Sequence, residues 1–119
     1  MDYRDFYQEF IENLLPRDYS LGLAGWGADI PWTLVFSSLG KYFVADFALL
    51  DEGRRSNILF LIKLAMEKED YLSDSVATGL LEELHKASMR NSAFANEIIG
   101  RLDTESSRYL NAWAKWSGS

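Results

Sequence analysis

Over most of this chain the apolar residues recur at steps of three and four, the period of one face of an α-helix rather than the alternation of a strand. The first such run is Tyr3, Phe6, Tyr7, Phe10, Ile11 and Leu14, closed by Pro16, which cannot continue a helix. After Pro31, whose fixed φ suits a helix start, Trp32, Val35, Phe36, Leu39, Phe43, Val44, Phe47 and Leu50 keep the same period through Gly40. β-Branched and aromatic residues are frequent here, so a hairpin of residues 33–36 and 41–47 is the rival reading; the unbroken helical period favours the helix.

Residues 54–68 carry Ile58, Leu59, Phe60, Leu61, Ile62, Leu64, Ala65 and Met66, apolar nearly all round, which predicts a central helix covered by its neighbours. Ser73 or Asp74 can cap the next helix, whose stripe is Val76, Leu80, Leu81 and Leu84. Asn91 or Ser92 can cap a shorter one through Phe94, Ile98 and Leu102, and Thr104 a last one with Tyr109, Ala112, Trp113 and Trp116 on one face. Between the first two helices, residues 16–31 hold Pro16, Gly22, Gly25, Gly27 and Pro31 around Trp26, a density of breakers that predicts a loop. Loops this long in a small domain are commonly functional or packed by their own side chains. A chain of 119 residues, 48% hydrophobic, has enough apolar surface for one core. The expectation is an all-α fold: one domain, 1–119, a bundle of five or six helices with a long Gly-rich loop after the first.

The side-chain inventory narrows the chemistry. The absence of cysteine removes disulfides, zinc knuckles, thiol nucleophiles and iron–sulfur clusters together. The one histidine, His85, leaves little for neutral-pH acid–base or triad catalysis. Glu82 and His85 have the Glu-x-x-His spacing of carboxylate-bridged di-metal bundles, but those sites need a second such motif, so His85 reads as part of a solvated helix end. Gly22, Gly25 and Gly27 do not make a dinucleotide or phosphate-binding loop. The acidic pairs Asp51–Glu52 and Glu69–Asp70 look like helix ends rather than paired catalytic carboxylates. These readings predict a protein without catalytic residues, metal or cofactor.

Net charge is −6, against the clustered cations that a nucleic-acid ligand demands. Residues 1–52 hold nine acids and three bases, whereas 53–119 hold nine of each, so the excess lies entirely in the first half. On the first helix Asp2, Asp5, Glu9 and Glu12 repeat opposite the apolar stripe. The early acids suit the helix dipole; the later ones call for solvation or a basic partner. The N-terminus lacks a basic stretch leading into an apolar run, and no apolar run approaches the ~20 residues of a membrane span, so a cytoplasmic protein with no membrane partner is expected. Trp32, Trp113 and Trp116 sit at helical spacing and read as core; Trp26, between two glycines, is either tucked in or presented to a partner.

From Phe36 onward the order of segments resembles a family of small all-helical bacterial proteins of unassigned function associated with polymorphic-toxin immunity loci. The resemblance is carried by Phe36-Ser-Ser-Leu-Gly-Lys-Tyr-Phe, the apolar helix from Ile58 to Met66, the segment from Asp74 to Leu84 reading Asp-Ser-Val-Ala-Thr-Gly-Leu-Leu-Glu-Glu-Leu, and the closing Leu110-Asn-Ala-Trp-Ala-Lys-Trp. It covers about two thirds of the chain and is a pattern of core and cap residues. It implies an all-helical fold and an immunity protein, one that binds a toxin and blocks it. The acidic first half agrees with a partner that presents a basic active-site cleft. The expected interface is Asp5, Glu9, Glu12, Trp26, Asp29, Asp46, Asp51 and Glu52. The alternative is a non-catalytic adaptor or regulatory module using the same surface, including as a homodimer.

Overall fold

In a computed structural model the chain folds as an all-α bundle, described for residues 1–19 and 29–117. Helix α1 (Tyr3–Glu12) begins with a capping box: Asp2 accepts from the Asp5 N–H and Asp5 returns the bond to the Asp2 N–H, so two of the otherwise orphaned donors are satisfied. Phe6, Tyr7 and Phe10 bury one face. Helix α2 (Trp32–Asp46) follows Pro31 and passes into a short 3₁₀ turn, Phe47–Leu49. Residues 33–47 are therefore helical, and the hairpin alternative is excluded.

Helix α3 (Glu52–Glu67) is capped by Asp51, which accepts from the Arg54 N–H. The next helical stretch runs without a break from α4 (Tyr71–Ser75) through a π-helical segment (Val76–Leu81) into α5 (Glu82–Met89). Its cap is Asp70, not Ser73 or Asp74: the carboxylate accepts from the Leu72 and Ser73 N–H groups, and the Ser73 hydroxyl donates back to the Asp70 carbonyl. Ser92 caps α6 (Ala93–Gly100), while Asn91 takes the left-handed backbone that ends α5, at φ 64°. Helix α7 (Thr104–Ser117) is capped one residue earlier than expected, by Asp103, whose carboxylate accepts from the Ser106 N–H and hydroxyl. Counting the α4–α5 stretch once, the described residues form six helices and no strand.

The central element is not α3. Phe60 on its outer face is 55% exposed, and the charged Lys63 and Glu67 share that face. The centre is the π segment, which touches α2, α3, α4, α5 and α7 and buries Val76, Ala77, Leu80 and Leu81. Here α2 crosses at backbone range: a Cβ on Gly79 would lie 2.3 Å from the Thr33 carbonyl oxygen, and one on Gly40 3.2 Å from that of Leu80. The core around this crossing is aromatic, with Phe6, Phe10, Phe36, Phe43 and Phe47 fully buried and packed edge or tilted on one another. The radius of gyration, 13.5 Å, is that of a single compact domain of this length. No helix among the described residues is long and apolar enough to cross a membrane.

Candidate interaction surface

Helix α1 lies against α2 and α3 and leaves the face bearing Asp5, Glu9 and Glu12 outward. Asp5 is engaged by the capping box at the helix start, where a carboxylate suits the positive end of the dipole. Glu9 and Glu12 occupy the other end. The last turn of α1 carries no basic residue, and neither carboxylate has a hydrogen bond or ion pair among the described residues. Two exposed negative charges thus stand at the negative end of a helix, each disfavoured by a few tenths of a kcal/mol or more.

Beside Glu12 the chain turns through Leu14, Pro16, Arg17 and Tyr19 and leaves a shallow, open hollow of about 310 Å³, lined also by Arg54 of α3. Gln8, Ile11 and Glu12 of α1 form the near wall. An amide contact, Asn57 Nδ2 donating to Asn13 Oδ1 at 3.0 Å, pins the two helices next to it. Tyr19 is held by three polar contacts: its hydroxyl donates to the Leu15 carbonyl and accepts from Arg17, and its own carbonyl accepts from Tyr7.

Asp46 does not belong to this surface. It is 2% exposed and joins α2 to the 14–19 segment. Its Oδ1 accepts from Arg17 at 2.7 Å; its Oδ2 accepts from the other Arg17 terminal nitrogen at 3.0 Å and from the Leu15 N–H at 3.1 Å. The paired carboxylate holds the guanidinium above its usual pKa. The planar head also lies 4.8 Å from the centre of the Tyr42 ring. The helical period of α2 places Asp46 only at the helix end; the Arg17 that draws it inward lies 29 residues away.

The remaining expected residues divide. Asp51 caps α3 and lies 3.9 Å from Arg54, although its side chain stays exposed. Glu52 accepts from Arg101 at the end of α6, which holds its carboxyl below the usual range. Asp29 is exposed ahead of α2. Trp26 lies outside the described residues. Among the described residues Glu9, Glu12 and Asp29 make no hydrogen bond or ion pair through their carboxylates, Asp5, Asp51 and Glu52 are tied into local contacts, and Asp46 is buried. The structure adds Arg17, Tyr19 and Arg54 to this surface. Arg17 is one of only three bases in the first 52 residues, and no local spacing in the sequence pairs it with Asp46.

Trp116, expected in the core, is 85% exposed because α7 presents its stripe through Ser106, Leu110 and Trp113 instead. His85 is not a solvated helix end. Its ring meets Trp113 edge-on at 5.0 Å, and its Nε2 is buried with no hydrogen-bond partner among the described residues. One turn earlier Tyr109 donates to Glu82; burial and that carboxylate push the phenol pKa up to about 12. Among the described residues no group of three or more His, Asp or Glu is placed to hold a metal ion. Comparison with protein-family models, with curated proteins and with solved structures gives no match.

Proposed function

We propose that this chain is a protein-binding domain that neutralises a cognate toxin by occluding it, as the family resemblance implies, and that it does so in the cytoplasm without catalysis. The observation that carries the reading is the pair Glu9 and Glu12, exposed and without an ion pair among the described residues at the C-terminal end of α1. Local conflict of this kind is tolerated where a partner resolves it. A basic surface would relieve both the mutual repulsion and the conflict with the dipole, and the same charges would speed encounter.

The test is affinity capture of the tagged chain from its native host, in parallel with a variant carrying Glu9→Lys and Glu12→Lys. Support would be a stoichiometric partner that is toxic alone, harmless when co-expressed with this chain, and weakly retained by the variant at low salt. Retention of such a partner regardless of charge reversal would move the interface elsewhere. Recovery of only non-toxic partners, or of the chain itself, would favour the adaptor reading. That alternative draws on a separate observation, the exposed apolar side chains of Leu49, Phe94 and Trp116.

A further inference from the structure

We infer that the second half of α7, residues 111–117, is a strap that opens from the folded bundle as a unit, and that the contact between Trp113 and His85 sets how often it opens.

The two halves of α7 are held differently. In the first, the Asp103 carboxylate accepts from both the N–H and the hydroxyl of Ser106, Ser106 and Leu110 are buried, and the Tyr109 hydroxyl donates to Glu82 of α5. These contacts fix the helix start on the bundle. Beyond Leu110 no described side chain is buried: Asn111, Ala112, Lys115 and Trp116 are exposed, and Trp113 and Ala114 are half-buried. Among the described residues Lys115 makes no ion pair, and the one ring contact of this half is Trp113 on His85.

That contact carries its own penalty. His85 Nε2 is buried there with no hydrogen-bond partner among the described residues. In either neutral tautomer this nitrogen is a donor or an acceptor, so covering it forfeits the bond that water gives it, and a ring met edge-on returns only part of the loss. Apolar area covered by Trp113 favours the closed strap; the stranded nitrogen opposes it by a similar amount. A segment with so few buried contacts lies at the low end of the local-opening scale. Opening hydrates His85 Nε2 and bares Trp113 beside the already exposed Trp116, while the crossing of α2 with the π segment stays intact.

The experiment is residue-resolved native-state hydrogen exchange of the full chain by nuclear magnetic resonance, in urea below the unfolding transition. Amides of residues 113–117 are expected to share one opening with a small urea dependence, well below the protection of the π segment, whose amides wait for global unfolding. His85→Phe keeps a flat ring under Trp113 and removes the nitrogens; protection over 113–117 should rise about tenfold, the size of one relieved buried polar group. Trp113→Ala should abolish most of that protection and leave the π segment protected, with circular dichroism checking that each variant stays folded. Protection that falls step by step toward residue 117 and ignores His85→Phe would reduce the segment to end fraying and overturn the proposal. So would exchange of 113–117 only on global unfolding, a fall in protection with His85→Phe, or indifference to Trp113→Ala.

Discussion

Gly79 is where the fold is least able to accept a single extra carbon. Adding a methyl there puts Cβ 2.3 Å from the Thr33 carbonyl oxygen and 3.2 Å from both the Thr33 carbonyl carbon and Phe36 Cβ. An ordinary carbon–oxygen contact needs about 3.3 Å, and all three neighbours are backbone or Cβ atoms, so no rotamer change relieves the clash. Helix α2 and the π segment must separate by roughly 1 Å at their crossing, loosening Phe36 and Leu39 against Leu80, all now almost fully buried. Overpacking of this kind costs about 1–3 kcal/mol, and separating the helices here places the cost at the upper end or above it. Alanine's better helix propensity returns at most ~1 kcal/mol. The net expectation for Gly79→Ala is a loss of about 2–3 kcal/mol, or a Tm lower by roughly 6–12 °C for a domain of this size. Thermal and urea unfolding followed by circular dichroism would measure it. Gly100→Ala is the internal control: nothing lies within 4 Å of the added Cβ, so its effect should be within about 0.5 kcal/mol and on the stabilising side. A neutral or stabilising Gly79→Ala would refute the backbone crossing as described.

Three further outcomes are expected. Asp46→Ala strands the Arg17 guanidinium and the Leu15 N–H, and should cost about 2–3 kcal/mol in urea unfolding; adding Arg17→Met should recover part of it, and full additivity of the two changes would count against the pairing. Trp116→Ala should move the Tm by no more than a degree or two, as an 85% exposed side chain implies, whereas a large drop would place it in the core after all. Tyr109 has its folded-state pKa raised above the unfolded value, so the neutral phenol favours the folded state. That contribution is complete below pH 10 and is lost as pH rises from about 10 to about 12. Solvent screening reduces it to the order of 1 kcal/mol, and the alkaline fall in stability of the wild type relative to Tyr109→Phe would display it.

Much of the architecture follows from one-dimensional pattern. The helical period marks every helix, because which face is apolar is a local matter, and Ser92 is legible as the cap of α6; the start of α4 is not, since Asp70 caps it where Ser73 or Asp74 is expected. The carboxylate face of α1 is legible for the same reason: residues three and four apart must share a side. What the pattern leaves undecided is every question that depends on a second segment. An apolar run marks α3 as helical but does not rank it against the α4–α5 stretch, since centrality depends on how many neighbours cover a helix. Asp46 has the look of a surface acid until Arg17, 29 residues earlier, is brought against it. Trp113 and Trp116 share a sequence stripe, and only the rotation of α7 on the bundle buries one more than the other. The hollow beside Glu12 exists because the 14–19 segment and the start of α3 converge there. Periodicity reports what a residue's own helix does with it; partnership across the chain, which decides buried charge and concave surface, arises only when the helices pack.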